Sequence, residues 1–247
     1  MMAPEPQEPG AFLAPGAAAG DSARRVPAHP APEPATAPSL IETMRIEPGR
    51  HVPLLEGHLE RLHRSCTALG RSWPGETAIR GQLAQTIAGL DDGQTWRLRL
   101  LLAPDGGLSL ETGLLAPPHT PLKVVLRGPR AAGAENWLLH KTTHRPWYEH
   151  AAQWLAGHPD VFDVLYWNEN GEMCEGSRSN LYMRTPGGGW LTPPLGSGAL
   201  PGVQRQALLD AGLVEVGPIH RDDFLRAPAR RISNALRGWH DAVIVDA

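Results

Sequence analysis

Hydrophobic positions along the chain change period several times, and each change marks an element. From Ser39, SLIETMRIEPGRHVPLL alternates apolar and polar residues, turns at Pro48-Gly49 and resumes with apolar residues. This predicts a strand, a turn and a short second strand. EGHLERLHRSCTALG then moves to helical spacing: Leu59, Leu62, Cys66 and Leu69 share one face, and Gly70 ends the helix. ETAIRGQLAQTIAGL reads as a second amphipathic helix, and TWRLRLLLAPDGGLSLET as a hairpin around Asp105-Gly106.

The second half of the chain is richer in strands. After the proline-bearing stretch LLAPPHTPL come a strand (LKVVLRG), a helix (RPWYEHAAQWLA) and two strands around Asn170-Gly171 (DVFDVLYWNENGEMCEG). NLYMRTPGGGWLTPP predicts another hairpin. PGVQRQALLDAG opens with Pro and closes with Gly, the asymmetry of a helix. RRISNALRGWHDAVIVDA closes with two strands and a turn. Hairpins with helices in blocks predict an α+β fold rather than a doubly wound parallel sheet. Residues 39–117 are expected to form a small α/β lobe and residues 118–247 a larger, β-rich one. Residues 1–38 are so rich in Pro, Ala and Gly that they bury little apolar surface, and a disordered tail is expected there. No internal repeat is visible.

Composition narrows the function classes. The 247 residues carry a formal net charge of −3, with no basic run to suggest a nucleic-acid partner. No apolar run approaches the ~20 residues that span a bilayer. Cys66 and Cys174 form no metal or disulfide pattern, and a reducing cytoplasm is the simplest expectation.

Lys123 and Lys141 are the only lysines; the other basic positions are arginine or histidine. Where arginine is the default, a retained lysine points to chemistry that arginine cannot do. Lys141, in WLLHKTTHRPWYEH, suits an imine-forming nucleophile if burial lowers its pKa; the plainer alternative is a solvated surface lysine. Glu175, after the turn in NGEMCEGSRSN, can pair with a pyridinium nitrogen or simply with Arg178. Arg61 can hold a phosphate bidentately or form a helix-surface ion pair. Gly202 precedes a helix start, where free N–H groups favour an anion. HKTTH superficially matches the zinc pattern HExxH, but a lysine replaces the glutamate, and no metal is expected.

Taken in order, these patches resemble the class IV aminotransferases, which use pyridoxal 5'-phosphate (PLP). ETMRIEPGRHVPLLEGHLERL is similar to the family's opening, HKTTHRPWYE to the lysine segment of its aminodeoxychorismate lyase branch, and NENGEMCEGSRSNLYMR to the segment bearing the glutamate of the cofactor nitrogen. LTPPLGSGALPGVQRQALL resembles the phosphate loop, and ISNALRGWHDAVIV the closing strands. The resemblance covers residues 39–247. It implies a two-lobed fold with PLP between the lobes, Lys141 as the covalent lysine and Glu175 on the pyridine nitrogen. Arg61, the backbone of Val203 and Gln204, and the Ser233–Asn234–Ala235 turn would hold the phosphate. It further implies 4-amino-4-deoxychorismate as substrate, with p-aminobenzoate (a folate precursor) and pyruvate as products. Arg178 and Arg237, then Arg97 or Arg99, are candidates for the substrate carboxylates, and Thr43 for a hydrogen bond near the leaving group. A homodimer is the family habit, and a functional link to an aminodeoxychorismate synthase follows from the branch.

The chain departs from the family in two places. The strand and turn that usually precede the ETMR segment give way to the Pro/Ala tail. The tyrosine that branched-chain aminotransferases place five residues after the lysine is Pro146; Tyr148 is the nearest phenol and a further candidate for contacting the substrate. The alternatives are a transaminase of the same fold acting on a D- or branched-chain amino acid, and a non-catalytic binding module.

Overall fold

The computed structural model describes residues 37–130 and 135–246. The expected tail falls almost wholly on residues 1–36, outside them. Strand β1 (Leu40–Ile46) leads through a turn into helices α1 (Leu55–Ala68) and α2 (Glu76–Ala88), followed by β2 (Trp96–Leu102) and β3 (Leu108–Leu114). The three strands make one antiparallel sheet in the order β1-β2-β3. Its inward face carries Leu40, Met44, Ile46, Leu98, Leu100 and Leu102, which pack with Leu59, Leu62, Cys66, Ile79 and Leu83 of the two helices. The alternation in the sequence sets this face, because period-2 side chains on paired strands fall on the same side.

The remaining chain builds the larger sheet. In order come β4 (Leu122–Leu126), α3 (Glu135–Leu138), α4 (Glu149–Ala156), β5 (Asp163–Trp167), β6 (Met173–Gly176), β7 (Asn180–Arg184), β8 (Trp190–Thr192), α5 (Val203–Asp210), β9 (Glu215–Val216), α6 (Arg221–Arg226), β10 (Arg230–Asn234) and β11 (Gly238–Ile244). The eight strands lie in the order β6-β5-β4-β11-β10-β7-β8-β9. Parallel pairs (β4 with β5 and with β11, β8 with β9) sit among antiparallel ones, so the class is α+β. One side packs Leu165, Met173, Leu181, Phe224 and Ile232 into a core; α4 covers Val125, Val164 and Tyr166 on the other.

The structure differs from the pattern reading in two local respects. The second strand expected after Pro48-Gly49 is reduced to a single bridge, Glu47 with His51. Pro53, two residues on, has no N–H to offer a ladder. Elements α3, β9 and α6 were not anticipated: with four, two and six residues they are too short to show a period.

Among the described residues, no helix is long and apolar enough to cross a membrane.

Candidate active site

Lys141 lies on an irregular segment that the chain nevertheless fixes. Ile41 donates its N–H to the Lys141 carbonyl at 2.7 Å, and Thr143 donates to the Ser39 carbonyl at 2.9 Å. Leu40 and Thr142 form a bridge between them, so the segment runs as a short extra strand along β1. The small sheet thereby holds the lysine's backbone while its side chain enters a cavity bounded by the larger sheet. Thr43, Arg61, Arg145, Glu175, Arg178, Asn180, Gly202, Val203 and the Ser233–Asn234–Ala235 turn share that cavity with Lys141. It encloses about 710 Å³ of free space, open solvent at the mouth included.

The electrostatics of Lys141 suit a nucleophile. Although only partly covered as a whole residue, its amine is poorly hydrated, and this is the main force lowering its pKa. The nearby cations of Arg145 and Arg61 push the same way against Glu42 and Glu175, and the value falls to about 7. A sizeable neutral fraction near neutral pH follows.

Glu175, at the end of β6, is buried and meets only neutral donors directly. The Tyr148 hydroxyl donates to its Oε1 at 2.7 Å and the Leu200 N–H to its Oε2 at 2.8 Å. Burial raises its pKa; Arg145, these two hydrogen bonds and Arg130 hold it down. The next residue, Gly176, is required by packing: a Cβ there would lie 2.1 Å from Asp163 Oδ2. Buried Asp163 in turn accepts from the Ser177 hydroxyl at 2.6 Å, the Ser179 hydroxyl, and the Arg178 N–H at 3.2 Å. One carboxylate therefore shapes the bend that presents Glu175 and Arg178 to the cavity.

Arg61, on α1, is buried in an ion pair with Glu42 of β1. Its Nε donates to Glu42 Oε1 at 2.9 Å, Nη2 to Oε2, and Nη1 reaches the Pro201 carbonyl at 3.3 Å. His58 Nδ1 lies 2.6 Å from the same Glu42 Oε2. Burial works against the Glu42 charge, but Arg61 and then His58 outweigh it, and its pKa falls to about 2. Nearby, α5 starts after Gly202 with no side-chain cap, so its first N–H groups have no partner within the helix. A Cβ on Gly202 would lie 1.9 Å from Asn180 Oδ1, so glycine keeps this backbone approach open.

Most of the residues singled out in the sequence converge here: Lys141, Thr43, Glu175, Arg61, Val203, Ser233, Asn234, Ala235 and Arg178 all line the cavity. Others do not. Gln204 is not among the lining residues, and its side chain has no bearing on whether its N–H is offered. Tyr148 is spent on Glu175 rather than facing a substrate. Arg237 is drawn to the Ala116 carbonyl, while its N–H donates to Asn234 Oδ1 at 2.8 Å. Arg97 and Arg99 lie on β2 opposite Arg45 and Thr43, on the face of the small sheet turned from its core; Thr43 on that face lines the cavity and the two arginines do not.

Glu42, His58, Arg145 and Asp163 escaped the sequence reading. Glu42 carried a usable signal: in LIETMRI it occupies an inward position beside Leu40, Met44 and Ile46, and a carboxylate there demands a buried partner.

Comparison with known proteins adds an independent line. Residues 39–243 match the family model of amino-transferase class IV. The chain is 31% identical over 176 residues to the "Putative aminodeoxychorismate lyase" of Schizosaccharomyces pombe, across 69% of this chain and 71% of that one. Its fold superposes on the crystal structure of the "Putative amino-acid aminotransferase" from Mesorhizobium loti with a TM-score of 0.74 and 32% identity, covering 84% and 100% of the two chains. A solved "Putative 4-amino-4-deoxychorismate lyase" superposes with a TM-score of 0.69 and 26% identity over 83% of each.

Proposed function

The chain belongs to the class IV aminotransferase family, and on that premise we propose that it is a PLP-dependent 4-amino-4-deoxychorismate lyase releasing p-aminobenzoate and pyruvate. The observation that carries this reading is the sharing of one cavity by the Lys141 amine and the Glu175 carboxylate, both removed from bulk water.

The residues fit the cofactor. Lys141 supplies the amine and Glu175 a carboxylate for the ring nitrogen. Arg61, the open N–H groups of Val203 and Gln204 beside Gly202, and the Ser233–Asn234–Ala235 turn supply donors for a phosphate. Bound PLP contributes an aldehyde that condenses with amines and a ring that accepts the electron pair left when a proton departs.

The chain's own residues do the rest. Lys141 Nζ, neutral in part near pH 7, would hold the cofactor covalently and, when free, would take the proton from the nitrogen-bearing carbon of the substrate. Loss of the enolpyruvyl group then leaves an aromatic ring, so deprotonation and positioning are the main demands on the protein. Glu175 would pair with the ring nitrogen and favour its protonated form. Arg178, which lines the cavity, would meet the substrate's carboxylates. Thr43 hydrogen-bonds near the leaving group. Support for the lyase comes from the names of the relatives and from the lysine segment, which has Pro146 where branched-chain enzymes have tyrosine. A homodimer and a supply of substrate from an aminodeoxychorismate synthase belong to the same reading.

A transaminase is the second reading, favoured by the name of the Mesorhizobium loti structure. Both reactions begin with the same proton removal. The isolated chain, loaded with PLP and given aminodeoxychorismate, is expected to generate p-aminobenzoate fluorescence. Keto acid from an amino-acid panel with no such fluorescence would establish the transaminase instead.

A further inference from the structure

Tyr148 has no place in the steps above, yet its surroundings are specific. The ring is buried and packs against Tyr166 and Trp147. Its hydroxyl donates to Glu175 Oε1 at 2.7 Å, while Oε2 takes the Leu200 N–H at 2.8 Å. Two guanidinium groups flank the phenol. Arg145 lies over its ring face, 4.7 Å from the centroid, and the Arg130 charge acts on the phenol from nearby. Arg130 is itself fixed, donating from Nη1 to the Gly198 carbonyl at 2.6 Å, and a Cβ on Gly198 would strike its guanidinium. The phenol thus stands between two cations and Glu175, to which it donates, and Glu175 faces the cavity.

The direction of the Tyr148–Glu175 bond has a chemical consequence. Cations beside the phenol make it a stronger donor, and a stronger donor favours the ionised form of the carboxylate that accepts from it. The other charged or titratable groups acting on Glu175 are Arg145 and Lys141 across the cavity, with Cys174 beside it in sequence. Among the described residues none of these is hydrogen-bonded to its carboxylate, and the phenol is the one side-chain donor on it.

We propose that Tyr148 is a positioning residue: through its bond to Oε1 it orients Glu175 and keeps it a carboxylate, so that the proton shared with the cofactor's ring nitrogen resides on the ring. This rests on the PLP reading above.

The test uses the full chain loaded with PLP labelled with nitrogen-15 in the ring. The wild type is expected to show the chemical shift of a protonated pyridine nitrogen. Tyr148→Phe keeps the ring and removes only the donor. Its nitrogen signal is expected to move toward the unprotonated value, with PLP binding weakened roughly tenfold, as for the loss of a hydrogen bond to a charged group. Arg130→Met, which leaves both Tyr148 and Glu175 in place, is expected to move the signal the same way by less, and it decides the matter if the phenylalanine variant does not fold. An unchanged nitrogen shift in a folded Tyr148→Phe protein, or in Arg130→Met where that variant must decide, overturns the proposal. A wild type that binds no PLP overturns the cofactor reading itself, and the two failures are distinguishable.

Discussion

Two buried carboxylates, one on each sheet, have opposite fates. Glu42 on β1 is gripped by Arg61 and His58, and its pKa falls to about 2. Glu175 on β6 meets a phenol and a backbone N–H, with its cations farther off, and burial wins: its pKa rises. The same side chain in the same degree of burial is thus a fixed charge in one place and an adjustable one in the other. A carboxylate bound to a guanidinium has its charge committed and serves to place that guanidinium. A carboxylate held by neutral donors keeps its affinity for a further cation, which is what a pyridinium partner needs.

Breaking the Glu42 side of this contrast should have the largest effect. Glu42→Ala strands Arg61 and His58, whose Nε2 already has no partner. A loss of about 3–5 kcal/mol in denaturant unfolding is expected for removing one member of a buried ion pair. Glu175→Gln should leave stability nearly intact but lower kcat by roughly 10²–10³, the scale of losing one preorganised electrostatic partner.

Next in size is Gly202→Ala, whose Cβ would collide with Asn180 Oδ1 at 1.9 Å. The Asn180 amide already donates to the Leu200 carbonyl at 2.9 Å and cannot give way freely. About 1–3 kcal/mol of overpacking strain is expected, read in the same unfolding assay.

The smallest effects are in pH dependence, and they sharpen the contrast because the signs differ. Glu42 has a folded pKa below its ordinary 4.5, so its stabilisation is complete above that value and is lost as the pH falls toward about 2. Glu175 has a raised pKa, so its ionised form costs stability, and acid relieves that cost. Glu42→Gln should flatten the acid limb of a stability–pH curve, and Glu175→Gln should steepen it. Separately, the rate of PLP condensation should rise with pH through about 7 and then level off, following the Lys141 amine.

The sequence made most of this legible where the signal was periodic or chemically rare. Helix α1 followed from Leu59, Leu62 and Cys66, and Lys141 stood out because Lys123 is the only other lysine. Pairing was harder to see. Arg61 and Glu42 lie 19 positions apart, and only the fold brings a helix side chain onto an inward strand position. Tyr148 was noticed as a phenol near the lysine, but its orientation toward Glu175 depends on how α4 packs on β5, which no local pattern encodes. Arg97 and Arg99 were correctly placed on one strand face, the face that also carries Thr43; which positions along that face reach the cavity is a property of the assembled sheets.

The most direct measurement is to load the chain with PLP, reduce it with borohydride, digest it and locate the pyridoxyl group by mass spectrometry. The expected result is a single adduct on the peptide bearing Lys141, abolished in Lys141→Ala. An adduct on Lys123, or none despite a saturating excess of PLP, would contradict the site as described.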